Sequence, residues 1–221
     1  MKAVKILVLE SSDSSISQII EILKNNDFYV DICSNNSEFL ECIYNNLYDL
    51  YLININEKSL PRFQLIQLLN EYQDITMKMV IASIPNIIKP SFLSGCDECV
   101  IRNIDEEEIL LRIKALIRRQ YKVYTDSIIL KENTKYEIFN KKVLQNKNEV
   151  ILGDKALLIL DYLLKFRGYY VSTENLEKGA YPTNSSSKMG VIRFHIHKIR
   201  QLLGNDIISS SRVNGYKINI K

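Results

Sequence analysis

The sequence predicts a chain in two parts: an α/β domain with a doubly wound, five-stranded parallel sheet, and then a smaller α+β domain. In the first part, short apolar runs alternate with amphipathic helical patterns, as in a parallel sheet covered on both faces. In the second part, short strands between polar turns come first, followed by three helical patterns and a hairpin signal. The chain has 221 residues, which suits two small domains, and we place them at 1–121 and 126–221.

The first half contains apolar runs that predict buried strands and amphipathic stripes that predict helices. The predicted strands are Val4–Leu9, Val30–Cys33, Leu50–Ile55, Met77–Ser83 and a short one that ends at Val100-Ile101. The helical stripes run over Ile16–Leu23, Phe39–Leu47, Phe63–Tyr72 and Ile109–Ile117. In such a sheet, functional residues gather at the carboxyl ends of the strands.

The second half begins after the polar stretch Gln120–Asp126, which we predict to be a linker. An antiparallel meander is predicted from the short strands Ile128–Leu130, Tyr136–Phe139, Val143–Leu144 and Val150–Leu152. Helical stripes follow over Ala156–Leu164, Thr173–Tyr181 (capped by Ser172 or Thr173) and about 188–203. Asn214-Gly215 lies between two further strand patterns and predicts a terminal hairpin, because both residues tolerate a positive φ.

The two halves differ in charge. Residues 1–120 hold 12 Lys and Arg and 17 Asp and Glu, a net charge of −5, whereas residues 121–221 hold 17 and 9, a net charge of +8. Within 188–221, seven basic residues accompany one acid, Asp206. An acidic half joined to a basic half indicates two different tasks, with the basic half facing a polyanion. A fortuitous surface bias is the alternative interpretation.

The composition excludes several classes of protein. No apolar run approaches the ~20 residues of a membrane helix, and four cysteines are too few for a disulfide framework, so we expect a reduced, cytoplasmic protein without a membrane partner. His195 and His197 project from different sides of a helix and cannot share a metal ion; His195 is predicted to be partly buried. Cys96 and Cys99 are interpreted as small buried residues, with a redox switch as the alternative. No catalytic triad, carboxylate pair or nucleotide loop predicts an enzyme, and we expect no metal or cofactor.

Two motifs in the basic half resemble those of a known family. The segment 194–200 (FHIHKIR) resembles the recognition-helix core of PhoB/OmpR-type response regulators, and 212–218 (RVNGYKI) resembles their wing signature. The order of sheet, three helices and hairpin is similar to the winged helix-turn-helix domain of that family, and the first half then resembles a CheY-like receiver domain. The resemblance covers essentially the whole chain and implies a two-component response regulator that regulates transcription.

The receiver-like half departs from the family's phosphorylation chemistry. A receiver phosphorylates one aspartate, with Mg²⁺ held by that residue and by an acidic pair after the first strand. Asn54 stands at the phospho-acceptor position, and Ser11 leaves Glu10 as the only acid of the pair. Asp49, at the opposite end of the same strand, is interpreted as a turn residue. The other degenerate positions of the pocket and its switch are Ala82, Cys99 and Arg102. The resemblance therefore implies an atypical, orphan-type receiver that is not phosphorylated in the usual way.

The family dimerises through the face formed by the fourth helix, the last strand and the last helix of the receiver. Charged residues stand at matching positions, namely Asp97, Glu98, Glu108, Arg112 and Arg119. The resemblance implies intersubunit ion pairs on this face and a homodimer through the receiver domain. Glu108 and Arg112 are also spaced i, i+4, so an intrahelical surface pair is the alternative interpretation.

The third helix of the basic half is the predicted DNA-reading element, with Ile192, Ile196, Ile199 and Leu203 facing the core. By resemblance, the base-facing residues are Arg193, Phe194, His197 and Lys198. Arg200 would meet phosphate, and Arg212 at the wing tip would reach the minor groove. For each basic residue, a solvated surface position is the alternative. The loop 182–187 stands where the family contacts RNA polymerase, although a plain linker fits equally well.

The sequence therefore predicts a transcription regulator that binds double-stranded DNA as a dimer, independently of aspartyl phosphorylation. The alternative is a pseudo-receiver adaptor that works mainly through protein–protein docking, with only incidental DNA affinity. Specific binding to direct repeats about one helical turn apart would separate the two hypotheses.

Overall fold

The structure is a computed structural model that describes residues 3–10, 16–56, 61–183 and 189–220. It divides into two compact units, of which one spans 3–44 and 48–117 and the other is formed chiefly by residues from 118 onward. The predicted fold class is confirmed: the first unit is a five-stranded parallel α/β structure, and the second combines antiparallel strands with three helices. The domain bounds 1–121 and 126–221 stay a prediction.

The sheet of the first unit follows the apolar runs of the sequence. Its strands are β1 (Lys5–Leu9), β2 (Tyr29–Cys33), β3 (Leu50–Ile55), β4 (Met77–Ala82) and β5 (Glu98–Ile101). They pair in the order β2-β1-β3-β4-β5, and every pair is parallel. All six residues of β3 are buried, as expected of a central strand with both faces covered.

Helices connect these strands. They are α1 (Ser17–Asn25), α2 (Asn36–Asn45), α3 (Pro61–Glu71), α4 (Ile88–Leu93) and α5 (Glu106–Gln120). The stripe that predicted α1 is its buried face, since Ile19, Ile20 and Leu23 are all buried. By contrast, α4 has only six residues after a 3₁₀ turn at Pro85–Ile87, too few to produce a helical stripe, and the sequence therefore did not define its bounds.

The carboxyl ends of the parallel strands bring the predicted pocket residues to one edge of the sheet. Glu10 follows β1, Asn54 lies near the end of β3, and Arg102 follows β5. The register pairs Asn54 with Ile81, and the Arg102 N–H donates to the carbonyl oxygen of Ala82 at 2.9 Å. This edge is where ligand sites of such sheets lie.

Asp49 lies at the opposite end of β3. Its backbone N–H donates to the carbonyl oxygen of Lys5 at 2.8 Å, and its carboxylate accepts from the Lys5 N–H at 2.9 Å. The buried carboxylate thus joins the start of β3 to the start of β1. Asp49 lies between α2 and β3, where a turn residue was predicted, and the link between the two strands was not foreseen.

The second unit begins with an antiparallel meander of β6 (Ser127–Lys131), β7 (Thr134–Glu137), β8 (Lys142–Gln145) and β9 (Asn148–Val150). Three helices follow, α6 (Asp154–Lys165), α7 (Thr173–Ala180) and α8 (Met189–Leu203). The Ser172 hydroxyl caps α7 by accepting from the Asn175 N–H at 3.1 Å. The hairpin of β10 (Ile208–Ser211) and β11 (Gly215–Ile218) completes the unit, so the predicted element order is confirmed.

A buried polar cluster surrounds Asp161 in α6. Its carboxylate accepts hydrogen bonds from the hydroxyl groups of Tyr121, at 2.6 Å, and Tyr136. The ammonium groups of Lys141 and Lys165 lie 3.3 and 3.4 Å from its Oδ2. Burial alone would raise the pKa of Asp161, but the two ammonium groups and the two hydroxyl donors hold that pKa well below its ordinary value. The carboxylate is therefore ionised and satisfied inside the second unit.

The segment 120–126 differs from the predicted linker. Tyr121 is fully buried in the second unit. Arg118 forms an ion pair with Asp126 at 3.0 Å, and the Arg167 guanidinium donates to the carbonyl oxygen of Lys122. The end of the helical pattern correctly predicted the end of α5. The residues that follow are not a free linker, because Tyr121 is buried in the second unit.

Gly215 determines the geometry of the hairpin turn. Ser211 pairs with Gly215, so residues 212–214 form a three-residue loop, and Gly215 alone among the hairpin residues has a positive φ, at +91°. The expected hairpin is confirmed. Asn214 could also have adopted a positive φ, but only Gly215 does so.

Replacing Gly215 by alanine should destabilise the second unit. The new Cβ would lie 2.0 Å from the carbonyl oxygen of Val171, whose backbone exchanges hydrogen bonds of 2.7 and 2.8 Å with Tyr216. The positive φ adds a cost of about 1–2 kcal/mol, so thermal denaturation should show a melting temperature lower by at least about 5 °C. Gly190→Ala is the matched control, because a Cβ there meets nothing within 4 Å. Equal melting of the two variants would contradict this account.

Candidate nucleic-acid interface and receiver pocket

Helix α8 has one buried and one exposed face. The buried residues are those predicted to face the core, Ile192, Ile196, Ile199 and Leu203. Arg193, Phe194, His197 and Lys198 are all exposed, and their spacing puts them side by side on the outer surface of the helix. We call these four residues the α8 face. The structure thus brings the predicted base-facing residues together.

An aromatic ring supports one of the cations on the α8 face. Phe194 is 54% exposed, and the Lys198 ammonium lies 5.1 Å from the centroid of its ring. A cation over an aromatic ring is attracted by the ring quadrupole. This contact places an apolar group and a hydrogen-bond donor next to each other on the same surface.

Arg200 is placed differently from the α8 face. Its Nε and Nη2 donate to the carbonyl oxygen of Ile208 at 3.1 and 2.7 Å, and the side chain is half-buried. These two hydrogen bonds join α8 to the first strand of the hairpin. A phosphate contact by Arg200 stays a prediction, and the structure adds a structural role.

The hairpin tip is open to solvent. Arg212 is exposed there, and the neighbouring Val213 is 90% exposed. The Ser211 hydroxyl accepts from the Asn214 N–H at 3.1 Å, which orders the loop that carries both residues. Of the predicted polymerase loop 182–187, only Pro182 and Thr183 lie within the described residues.

The two histidines of α8 have different surroundings. His197 is exposed on the α8 face, whereas His195 is half-buried, as predicted. Burial lowers the pKa of His195, and the positive charges of Lys155 and Lys198 lower it further. His195 is therefore neutral at physiological pH and contributes no charge to the surface.

The strand-end edge of the first unit contains the residues of the predicted pocket. Asn54 and Ala82 are fully buried. Glu10 is half-buried, and its Oε1 accepts from the Ile16 N–H at 2.6 Å, at the start of α1. Ser11 lies outside the described residues. Among the pocket residues described, one carboxylate is present and it already binds the backbone.

Arg62 is a pocket residue that the sequence did not indicate. It lies in the first turn of α3, is only 6% exposed, and its guanidinium donates to the backbone carbonyl oxygen of Asn54. Burial lowers the pKa of this guanidinium, and the Glu10 carboxylate offsets part of that effect. An arginine directly after Pro61 in a polar stretch would ordinarily be assigned to the surface, so no sequence pattern identified it.

The described residues of this pocket do not fit a Mg²⁺ site. A hard divalent cation takes several oxygen ligands, mainly carboxylates. The pocket instead combines the carboxylate of Glu10 and the carboxamide of Asn54 with the guanidinium group of Arg62, which donates to the Asn54 backbone. Nε and Nη2 of Arg102 are buried without a hydrogen-bond partner among the described residues. The fixed guanidinium of Arg62 would repel a divalent cation at this edge.

The predicted dimer face carries both charged and apolar side chains. Arg112 pairs within the chain, with Glu108 at 2.7 Å and with Glu98 at 3.4 Å, and Asp97 accepts from the Lys78 N–H at 2.7 Å. Arg119 is exposed. The same elements expose three large apolar residues, Phe92, Leu93 and Leu111. The intrahelical pair is therefore present, and the intersubunit ion pairs stay a prediction.

The Cys-x-x-Cys pair matches the interpretation given to it from the sequence. Cys96 is buried, and burial raises the pKa of its thiol to about 12. Cys99 is half-buried, and burial raises the pKa of its thiol as well. Both are small side chains packed in or against the core.

The described part of the chain contains neither a membrane-spanning helix nor a cluster of metal-ligating side chains. None of its helices is both long and apolar enough to cross a lipid bilayer. The same residues contain no cluster of three or more His, Cys, Asp or Glu side chains that could hold a metal ion.

Comparison with known proteins relates both units to transcriptional regulators. The profile of the family described as "Transcriptional regulatory protein, C terminal" matches residues 147–218. Transcriptional regulatory protein PmrA of Pectobacterium parmentieri is 32% identical over 122 residues, which is 55% of this chain and about half (54%) of that relative. Transcriptional regulatory protein CusR of Escherichia coli K12 is 20% identical over 223 residues, 98% of each chain. The response regulator DrrB, a Thermotoga maritima OmpR/PhoB homologue, superposes with a TM-score of 0.46 and 17% identity over 98% of this chain and 99% of its own.

The matched domain contains α8 and the hairpin, and the alignment with CusR also covers the parallel α/β unit. The order of the two units along the chain is the one that the sequence motifs predicted. The second unit therefore matches the family of C-terminal domains of transcriptional regulatory proteins, and the chain as a whole is similar to the transcriptional regulatory protein CusR.

Proposed function

We propose that the protein is a sequence-specific DNA-binding transcription regulator that acts as a homodimer and without aspartyl phosphorylation. The observation that carries the proposal is the α8 face, which is an exposed surface of two cations, an imidazole and an aromatic ring on a well-packed helix. An α-helix fits the major groove of DNA, where Arg and Lys donate to guanine O6 and N7 and apolar groups contact the thymine methyl. The α8 face offers both kinds of contact.

The surrounding charge supports the same function. Residues 121–221 carry a net charge of +8. Arg212 is exposed at the tip of the hairpin, which follows α8 along the chain as a wing follows a recognition helix. Basic side chains that neutralise phosphates supply most of the sequence-independent affinity for DNA. Arg212 can in addition enter the minor groove, where the negative potential favours arginine.

Independence of phosphorylation is proposed from the pocket chemistry. A carboxamide such as Asn54 cannot form an acyl phosphate, and the described residues of the pocket offer a divalent cation only the carboxylate of Glu10. The buried guanidinium of Arg62 donates to the backbone of Asn54, so a fixed cation already lies at this edge of the sheet. The receiver unit would then hold one state permanently, rather than change state on phosphorylation.

The homodimer is proposed through α4, β5 and α5. Leu93 and Leu111 are 74% and 56% exposed on this face, and a partner would bury them. The ion pairs of Arg112 with Glu98 and Glu108 lie on the same elements and add fixed charge, which favours one relative orientation of two subunits. Contact of RNA polymerase with the loop 182–187 is part of the proposal by family resemblance alone.

The adaptor hypothesis is less well supported. It would require the DNA-binding features to be incidental, whereas the α8 face, the exposed wing arginine and the family match at 147–218 all occur in one domain. Specific binding to one DNA sequence over random DNA separates a regulator from an adaptor.

Treatment with acetyl phosphate and Mg²⁺ should leave the mass of the chain and its affinity for its DNA site unchanged. The reason is that Asn54 offers no carboxylate nucleophile and the pocket does not fit the cation. Intact-mass spectrometry and a gel-shift titration measure the two quantities. Asn54→Asp alone should behave like the parent, because Arg62 remains and Ser11 still leaves the cation short of a carboxylate. A stable added phosphate on any aspartate of the parent would overturn phosphorylation independence while leaving DNA binding itself untouched.

A further inference from the structure

Two cysteine thiols face each other between the edge strand β2 and helix α2. The Sγ of Cys33 lies 3.2 Å from the Sγ of Cys42. Both residues lie in the first unit, and both are thiols in this structure. A disulfide requires a sulfur–sulfur distance of about 2.05 Å, so the two atoms need to approach by only about 1 Å.

The backbone around this dithiol is held by hydrogen bonds on both sides. Cys33 is the last residue of β2, and its carbonyl oxygen accepts from the Glu10 N–H at 2.9 Å. At the start of α2, the Asn35 side chain accepts from the Glu38 N–H at 3.0 Å, and the Glu38 carboxylate accepts from the Ser34 N–H at 2.8 Å. This reciprocal cap fixes the first turn of α2 relative to the end of β2. The approach of the two sulfurs is therefore a consequence of ordered backbone.

The two thiols differ in exposure. Cys33 is 1% exposed and belongs to the core cluster that includes Phe39, whereas Cys42 is half-buried and packs against that cluster from outside. A reagent from solvent therefore reaches Cys42 first. Cys33 lies behind it, in position to react with whatever forms on the Cys42 sulfur.

We propose that Cys33 and Cys42 are an oxidation site of the protein, at which a peroxide converts the two thiols into a reversible intramolecular disulfide. The reaction balances in two steps. The Cys42 sulfur attacks a peroxide oxygen, the O–O bond breaks, and Cys42 becomes a sulfenic acid with release of one water from hydrogen peroxide. The Cys33 sulfur then attacks the Cys42 sulfur, the S–S bond forms, and the S–O bond breaks. The leaving hydroxide takes the Cys33 proton as a second water. The two thiols lose two electrons and two protons in total, and a dithiol reductant reverses the reaction.

The order of the two steps follows from the protonation of Cys33 as well as from exposure. Burial raises the pKa of the Cys33 thiol to about 12, and the neighbouring Cys42, Glu38 and Asp31 raise it in the same direction. A protonated thiol is a poor nucleophile towards a peroxide, which leaves the first step to Cys42. In the second step the two sulfurs are already in contact, and this proximity compensates for the weak acidity of Cys33.

The test uses the full-length chain with Cys96→Ser and Cys99→Ser, so that the proposed pair contains the only thiols left. The protein is treated with hydrogen peroxide, denatured, alkylated with N-ethylmaleimide and measured by intact-mass spectrometry. We expect no alkyl group on the oxidised chain, a mass lower by two hydrogen atoms, and two alkyl groups after treatment with dithiothreitol. Peptide mapping should then identify one cross-linked fragment that contains residues 33 and 42.

Cys42→Ser in the same background is the matched control, since its side chain is only half-buried and serine is nearly isosteric. Its remaining Cys33 should take up one alkyl group after peroxide treatment, because the buried thiol is not oxidised on its own. Three results would overturn the proposal: both thiols of the background variant remain alkylatable, oxygen atoms stay on Cys42 without a cross-link, or the disulfide joins two chains. None of these results bears on DNA binding, so the test is independent of the proposed function.

Discussion

Replacing Asp161 by alanine should lower the unfolding temperature of the second unit by at least about 10 °C. The substitution leaves the ammonium groups of Lys141 and Lys165 and the hydroxyl groups of Tyr121 and Tyr136 without their common partner. Breaking a buried ion pair by removing one member costs about 3–5 kcal/mol, because the remaining charge stays buried and uncompensated. Scanning calorimetry of the full-length chain measures the transition of the affected unit.

The stabilising effect of Asp161 should also depend on pH in a defined direction. Its pKa in the folded chain lies below the unfolded value of about 3.9, because the two ammonium groups and the two hydroxyl donors outweigh the effect of burial. Its contribution is therefore complete above that unfolded value and is lost as the pH falls through the folded pKa. Asp161→Asn should be less stable than the parent at neutral pH, and the difference should shrink below about pH 4.

A control separates this buried cluster from ordinary surface charge. Glu174 in α7 forms an exposed i, i+4 pair with Lys178 at 2.8 Å, and such pairs contribute little to stability. Glu174→Ala should leave the transition unchanged. If Asp161→Ala had the same unfolding temperature as the parent, the cluster would not stabilise the second unit.

Replacing Arg193 by alanine should lower the ratio of the affinity for the specific site to the affinity for random DNA by about 5- to 150-fold. This change corresponds to about 1–3 kcal/mol of binding free energy. The reason is that a guanidinium on the α8 face can donate two hydrogen bonds to one guanine. Binding to random DNA should change little. Lys198→Ala should act in the same direction, because its ammonium lies beside Phe194 on the same surface. Gel-shift titrations on both kinds of DNA give the ratio directly.

Arg212 should behave differently from the α8 face. Its exposed place at the hairpin tip favours contact with phosphate or the minor groove. Arg212→Ala should weaken binding to specific and random DNA almost equally, and the slope of log affinity against log salt should become shallower by about one. Lys24→Ala, an exposed charge change in α1, is the control that should alter neither quantity. The assigned roles would be reversed if Arg193→Ala lost affinity equally for specific and random DNA while Arg212→Ala relaxed the specificity.

The elements that the sequence predicted well are those in which burial repeats along the chain. β3 has the predicted bounds Leu50–Ile55, because all of its side chains are buried and the apolar run is continuous. The buried face of α8 coincides with the predicted seam, since residues three and four apart share one side of a helix. The outward positions of the α8 face follow from the same periodicity.

The features that the sequence did not reveal depend on residues that are distant along the chain. Tyr121 and Asp161 are 40 residues apart, and only tertiary packing shows that a tyrosine in a polar stretch completes a buried hydrogen bond. Arg62 lies in the pocket because its guanidinium donates to the carbonyl oxygen of Asn54, and no local pattern distinguishes it from a surface arginine. The hydrogen bonds of Arg200 to Ile208 likewise join residues whose pairing no periodicity indicates.

The most direct test of the central claim is selection of DNA from a random library by the unphosphorylated full-length chain, followed by footprinting on the enriched sequence. A homodimer that reads DNA with α8 predicts an enriched motif of two direct repeats about one helical turn, roughly 10 base pairs, apart, with both repeats protected. The Arg193→Ala variant should select the same spacing with relaxed preference at one position in each repeat. Retention of all sequences alike, with no enriched motif, would contradict the claim and favour the adaptor hypothesis.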